Sequence, residues 1–311
     1  MSEQALGVEV FSNEFERLLG SAREPTQLAG GMAFCEGTHW VSSAGSQPDG
    51  YLVWSDIPNN RIMRWSEQDG VSILREPCGN TNGHTTDLEG RLLSCETSGR
   101  RVNRTELDGS VVTLADRYRG GRLTSPNDAV VKSDGSVWFT DPDYGVLEKH
   151  IGHGEAAEQG RNRLYRLAPE TGELTSPCED FDKPNGLAFS PDESVLYVSD
   201  TGRTHGEFRT HRLMAFDVAD DTLSNSRVFA EVDPWVPDGM RVDVNGNLFV
   251  SAGDGVQCFN PAGELIGKIH TPEIAANCSF GMGDRQTLFF AATSSVWSIE
   301  LNTAGATRPA G

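Results

Sequence analysis

The chain has 311 residues, with 26 lysines and arginines against 45 aspartates and glutamates, a net charge of −19. So acidic a surface repels nucleic acid and anionic membranes, which excludes both as expected partners. No stretch approaches the roughly 18 apolar residues of a membrane span, and the first residues lack the features of a secretion signal. We therefore expect a cytoplasmic monomer or homodimer whose six scattered cysteines are free thiols.

The first segment with a pattern is residues 7–19, which begins with alternating apolar and polar side chains, as in a half-buried strand. The end of the chain, residues 279–301, contains only three strand-like runs where four would complete a sheet. We predict that residues 7–19 supply the missing strand and close a ring of sheets. The alternative for this segment is a short terminal helix.

From residue 36 onward one pattern recurs: a polar residue, usually followed by Gly, then an apolar run, an Asp-Gly-type turn and a second apolar run. Its six starts are Glu36-Gly37, Asn82-Gly83, Asn127-Asp128, Asn185-Gly186, Asp238-Gly239 and Asn277-Cys278. Repeats of about 40–50 residues are typical of β-propeller blades. The sequence predicts an all-β fold, a six-bladed β-propeller, with residues 1–311 in a single domain.

Each repeat begins with an oxygen-bearing side chain, and equivalent positions of a propeller surround its central axis. Hairpin parity places the loop that follows the second strand of each blade on the same face as this leading residue. The two longest such loops are residues 142–161, with Tyr144, His150 and His153, and residues 201–210, with His205. Long loops of this kind often bind ligands, so we predict the functional site on this face.

The leading residues form a candidate site for a hard cation, because such ions prefer carboxylate and amide oxygens. Glu36 has no Lys or Arg within three residues, which favours metal ligation over an ion pair. Asn127, Asn185 and Asp238 each follow a proline that restricts the incoming chain. These four residues are the predicted ligands of one divalent metal, Ca²⁺ before Mg²⁺, Mn²⁺ or Zn²⁺. Asn82 and Asn277 would only face axial water.

Several segments resemble signatures of the gluconolactonase family, which includes regucalcin (senescence marker protein 30) and related calcium-dependent lactonases. They are Glu36-Gly37 with Trp40, residues 122–128, residues 138–142 with Tyr144-Gly145, Lys183-Pro184-Asn185-Gly186 and Pro237-Asp238-Gly239. The resemblance covers residues 7–301 and implies a six-bladed propeller with one axial metal. It implies Glu36, Asn185 and Asp238 as ligands, and Asn127 as a fourth ligand or a substrate contact. Thr38-His39 departs from the family pattern, as does the lack of an arginine two residues before Asn127.

Together these features predict a metal-dependent hydrolase of a lactone, most simply a sugar lactone such as gluconolactone. Asp238 is the candidate catalytic base and Asn127 the residue that orients the substrate. Arg122, His84 and Tyr144 are further candidate substrate contacts. Two alternatives remain: a phosphotriester or fluorophosphate hydrolase on the same metal, and a non-catalytic propeller that binds a partner protein and holds calcium only for structure.

Overall fold

The computed structural model describes residues 6–42 and 50–309. Over these residues the chain forms six antiparallel sheets of four or five strands and one two-stranded ribbon. Each large sheet is one blade, so the prediction of an all-β, six-bladed propeller is confirmed. No helix in the described part of the chain is long and apolar enough to span a bilayer.

The N-terminal segment contains β1 (Gly7–Val10), α1 (Asn13–Leu19) and β2 (Thr26–Gly30). A strand from this segment closes the last blade, as predicted, but the strand is β2 and lies outside residues 7–19. β1 instead adds a fifth strand to blade five. The residues after β1 form a helix because Phe15, Leu18 and Leu19 share one apolar face and Ser12 caps the first turn.

The first three blades follow in chain order, each from its inner strand outward. Blade one contains β3 (Cys35–Val41), β4 (Tyr51–Asp56), β5 (Arg61–Ser66) and β6 (Gly70–Arg75). Blade two contains β7 (Thr81–Thr86), β8 (Leu92–Glu96), β9 (Arg101–Thr105) and β10 (Val111–Ala115), followed by the ribbon β11 (Arg117–Tyr118) and β12 (Gly121–Arg122). Blade three contains β13 (Ala129–Val131), β14 (Val137–Asp141), α2 (Tyr144–Leu147), β15 (Arg163–Leu167) and β16 (Leu174–Cys178).

The last three blades repeat this order. Blade four contains β17 (Pro184–Phe189), β18 (Val195–Asp200), a 3₁₀-helix (Gly202–His205), β19 (Arg212–Ala219) and β20 (Thr222–Glu231). Blade five contains β21 (Met240–Val242), β22 (Leu248–Ala252), β23 (Gly255–Phe259) and β24 (Leu265–His270), and blade six contains β25 (Ala275–Gly281), β26 (Thr287–Ala292) and β27 (Ser295–Glu300). The inner strands contact one another around the axis, and β25 contacts β3, which closes the ring.

The apolar core is divided into six clusters, one between each pair of neighbouring blades. Burial of apolar surface between blades is therefore the force that holds the ring together. The largest cluster lies between blades five and six and includes Phe15 and Leu19 of α1. All six cysteines are free thiols, as predicted.

Candidate active site and metal centre

The leading residue of each blade lies where the inner strand departs from regular pairing. Register shifts fall at or beside Glu36, Asn82, Asn185 and Asn277. In blades three and five the inner strand begins only after Asn127 and Asp238. Such irregularities redirect side chains, and here they direct them toward the propeller axis.

Neighbouring blades are joined at these positions by hydrogen bonds from hydroxyl groups. A Ser or Thr on the second strand of one blade donates to the carbonyl of the next leading residue. The pairs are Ser55 to Asn82 (2.8 Å), Thr140 to Asn185 (2.8 Å) and Ser199 to Asp238 (3.0 Å). The approach is so close that a Cβ at Gly186 would lie 2.3 Å from the Asp238 carbonyl oxygen, so the ring of leading residues is held rigidly.

Acidic residues at the ends of the second strands hold the chain that enters the site. Asp56 accepts hydrogen bonds from the backbone of Ala33 (3.0 Å), and Asp200 accepts from Lys183 (2.8 Å). Asp141 accepts from the backbone of residues 124 and 125 at 2.8 and 2.6 Å, directly before Asn127. These buried acids therefore position the leading residues and do not themselves face the axis.

Three carboxylates meet at the axis: Glu36, Asp128 and Asp238. Burial raises the pKa of Glu36 well above its usual range, and the charges of Asp238 and Asp128 raise it further, against the opposing hydrogen bond of the Gly37 backbone. Burial and Asp128 also raise the pKa of Asp238, while the Asn185 amide opposes the rise. Because like charges disfavour each other's ionisation, a cation near these acids would stabilise their ionised forms.

Asp128 is a site residue that sequence reasoning missed. It is 1% exposed, and its Oδ2 has no hydrogen-bond partner among the described residues, although the Arg241 guanidinium lies 3.9 Å away. The sequence feature that could have identified Asp128 is its position, since four of the other five repeats have Gly directly after the leading residue. A carboxylate in place of Gly adds a third negative charge to the axis.

The donor set fits a hard divalent cation. Oδ1 of Asp238 and Oδ1 of Asn82 are shielded from solvent and lack hydrogen-bond partners in the described structure. An unpaired buried oxygen is costly, and a metal ion would remove that cost. Within residues 6–42 and 50–309, no three His, Cys, Asp or Glu side chains could hold an ion by themselves. Amide oxygens would therefore have to complete the coordination.

The two long insertions contact each other beside the axis. The Tyr144 hydroxyl lies 2.5 Å from Oγ1 of Thr201 and 3.2 Å from Oγ1 of Thr204. Nε2 of His205 lies 3.2 Å from a Glu148 carboxylate oxygen. Burial is the main cause of the raised pKa of Tyr144; the hydrogen bonds with Thr201 and Thr204 oppose the rise, and the charge of Asp238 adds to it.

Lys183, two residues before Asn185, is a buried lysine that contacts the first of these insertions. Its ammonium group pairs with Asp143 and lies 5.6 Å from the centre of the Tyr144 ring. The lysine is 2% exposed. Because its charge is matched by Asp143, it leaves the axial carboxylates available for a metal.

The structure does not bring every predicted substrate contact to the axis. His84 is fully buried between blades, with its ring nitrogens 2.8 Å from the Ser55 hydroxyl and 2.9 Å from the Ser94 hydroxyl. It has no free nitrogen for a substrate, so its predicted role is corrected to a structural one. Arg122 remains at the site face, in the connection between blades two and three, where it donates to the Gly99 carbonyl (3.2 Å).

Known proteins share both the sequence and the fold. Residues 34–294 match the family described as SMP-30/Gluconolactonase/LRE-like region. The gluconolactonase of Zymomonas mobilis subsp. mobilis is 30% identical over 315 aligned positions, which cover 95% of this chain and 86% of that protein. The pentonolactonase XacC of Haloferax volcanii is 28% identical, over 76% of each chain. A gluconolactonase structure from Xanthomonas campestris superposes with a TM-score of 0.88 at 36% identity, covering 95% and 94% of the two chains.

The propeller and these relatives define a lactone-hydrolysing enzyme. The chain belongs to the SMP-30/gluconolactonase/LRE-like family. The resemblance indicated by the sequence motifs is thereby confirmed, and a purely non-catalytic propeller is no longer an alternative.

Proposed function

We propose that the enzyme hydrolyses a sugar lactone such as gluconolactone and that its activity depends on one divalent cation, most simply Ca²⁺. The proposed ligands are Glu36, Asn127, Asn185 and Asp238. The observation that carries the proposal is the unpartnered Oδ1 of Asp238 beside two further buried acids. The similarity to gluconolactonases over nearly the whole chain supports this substrate as the first to test.

The cation, when bound, would polarise the lactone carbonyl and stabilise the negative charge that develops on its oxygen. Asp238 is the proposed general base: one of its carboxylate oxygens would bind the cation and the other would accept the proton of the attacking water. Asn127, the leading residue of blade three, would orient the substrate. Tyr144 and Arg122 on the same face are proposed substrate contacts.

The charge of the site favours a neutral substrate. Glu36, Asp128 and Asp238 together carry three negative charges when ionised, and the Arg241 guanidinium, 3.9 Å from Asp128, offsets one of them. A neutral lactone can enter such a site, whereas an anionic substrate would approach three carboxylates.

This function can be tested by stripping the protein of metal with a chelator, restoring one cation at a time, and measuring substrate turnover. The substrates are gluconolactone, a pentonolactone, an aliphatic lactone and a phosphotriester, each with Ca²⁺, Mg²⁺, Mn²⁺ or Zn²⁺ restored. We expect hydrolysis of sugar lactones only when a divalent cation is present. Full activity of verified metal-free protein would refute the metal dependence, and a preference for the phosphotriester would refute the substrate class.

A further inference from the structure

At the end of the inner strands opposite the leading residues, three arginines converge on one cavity. The cavity has a volume of about 400 Å³ and is lined by Arg241, Arg285 and Arg308, together with His39. Arg241 lies on β21, three residues beyond Asp238, and Arg285 lies in the turn between β25 and β26. Arg308 belongs to the C-terminal segment, of which residues 306–309 line the same cavity.

The C-terminal segment is held in place by several blades. The backbone of Ala306 donates to the Val242 carbonyl at 2.8 Å, which attaches the segment to blade five. Arg308 donates to the Val131 carbonyl at 2.9 Å and the Asp87 carbonyl at 3.3 Å, in blades three and two. These hydrogen bonds fix the Arg308 guanidinium at the edge of the cavity.

Of the three arginines, only Arg241 has a carboxylate within 4 Å among the described residues, that of Asp128. Arg285 donates to the backbone carbonyls of Gly305 (3.2 Å) and Ala306 (3.0 Å), and the carboxylate beside Arg241 is 3.9 Å away. Burial lowers the pKa of Arg285, and the charges of Arg308 and Arg241 lower it further, so the three groups repel one another. Each still has N–H donors left over, because a guanidinium carries five.

The two acids among the described residues that line the cavity are already engaged elsewhere. Glu193 accepts from the backbone and hydroxyl of Ser133 at 2.8 and 2.5 Å and lies 3.4 Å from the Lys132 ammonium. Asp87 accepts from the Arg91 guanidinium at 2.7 Å. Their charges act on Arg308, but among the described residues neither carboxylate forms an ion pair with any of the three arginines.

Two neutral polar groups complete the arrangement. A small adjoining cavity is lined by His39, Ser279, Arg241 and Arg285. Ser279 is 2% exposed, and its hydroxyl has no hydrogen-bond partner within the described chain. Burial, and then the charge of Arg241, hold the pKa of His39 well below its usual range, so this ring is neutral. An unpaired hydroxyl beside the guanidinium groups of Arg241 and Arg285 is suited to an anion.

We propose that the cavity lined by Arg241, Arg285 and Arg308, with Ser279 in the small cavity that adjoins it, binds a small oxyanion, either a carboxylate or a phosphate. Guanidinium groups bind the oxygens of both through paired N–H donors, and the hydroxyl supplies a further donor. The site lies at the end of the inner strands opposite the leading residues, although Arg241 is 3.9 Å from Asp128, and it does not depend on the proposed function.

Calorimetric titration of metal-free protein tests this site, because without metal a carboxylate cannot bind at the opposite end by coordination. The titrants are acetate, gluconate and phosphate, with chloride holding the ionic strength constant. We expect saturable binding of at least one oxyanion, weakened at least tenfold in Arg285→Gln and in Arg241→Gln. Arg227→Gln is the matched control, since this exposed arginine pairs with Asp217 on the surface and should bind as wild type does.

Thermal unfolding gives a second readout that does not need a binding signal. Without oxyanion at low ionic strength, Arg285→Gln should unfold no earlier than wild type, because one of three repelling charges is gone. With oxyanion, wild type should gain stability and the variant should not. A response to chloride equal to that of the oxyanions, or equal binding by wild type and both variants, would overturn the proposal.

Discussion

The α-carbon of Gly37 packs against the backbone of Asn82, the leading residue of the next blade. A Cβ built at Gly37 would lie 2.0 Å from the Asn82 carbonyl oxygen, and Gly37 has a φ of 62°. A similarly close approach recurs around the axis, where a Cβ at Gly239 would lie 2.3 Å from the side-chain amide nitrogen of Asn277. Glycine in these positions therefore permits the close approach that brings the site oxygens together.

Replacement of Gly37 by Ala should destabilise the protein strongly. Gly70 is a matched control, because its φ is 67° but nothing lies within 4 Å of its added Cβ. A left-handed alanine costs about 1–2 kcal/mol by itself, so Gly70→Ala should lower the melting temperature by only a few degrees. Gly37→Ala adds a backbone clash and should lower it at least twice as far in calorimetry. Equal losses would mean that the blades separate without cost at this position.

Glu36→Gln and Asp238→Asn separate metal binding from chemistry. Each substitution removes one negative charge from the axis, so both should weaken cation binding in a calorimetric titration. At saturating cation, Glu36→Gln should recover part of its lactone turnover. Asp238→Asn should remain roughly 10²–10⁴-fold slower, because it also lacks the proton acceptor. Equal recovery in both would leave Asp238 as a ligand only, and the buried His84 could not replace it as the base.

The burial of His84 should make the protein sensitive to acid. Burial lowers the pKa of His84 from 6.5 to about 3. As the pH falls below 6.5, the unfolded chain therefore takes up a proton that the folded protein excludes. Each pH unit down to about 3 removes up to about 1.4 kcal/mol of stability from this residue.

The measurement for this prediction is urea unfolding between pH 7 and pH 4. The free energy of unfolding should fall less steeply in His84→Gln than in wild type, although His84→Gln should be somewhat less stable at pH 7 because hydrogen bonds to Ser55 and Ser94 are altered. His150→Gln, whose parent side chain is 66% exposed, should keep the wild-type slope. A wild-type slope in His84→Gln would contradict the assignment.

The packing of α1 should matter for stability as much as that of any blade. Phe15 is fully buried between blades five and six, whereas Phe208 on the second insertion is 97% exposed. Phe15→Ala should cost about 3–5 kcal/mol, the usual loss for a buried phenylalanine. Phe208→Ala should leave the unfolding free energy within about 0.5 kcal/mol of wild type. Similar losses in the two variants would show that α1 does not pack as described.

The sequence by itself determined the number of blades, the leading residues and the family. These features repeat at a nearly constant spacing, and each hairpin is encoded by neighbouring residues, so the pattern is visible without coordinates. It also placed Glu36 and Asp238 at equivalent positions, which the structure brings to one axis. Their roles as ligand and base, and the assignment of the whole chain to a single domain, stay predictions.

Only the tertiary structure decided the contacts between distant segments. Residues 7–19 could have been strand or helix, and packing of Phe15 against blades five and six decided for a helix after β1. His84 looked well placed beside Asn82, yet two serines from different blades occupy its ring nitrogens. Arg241 and Arg308 are 67 positions apart in sequence. They line one cavity only because the C-terminal segment returns to the inner strands. Contacts of this kind depend on ring closure, which no local pattern encodes.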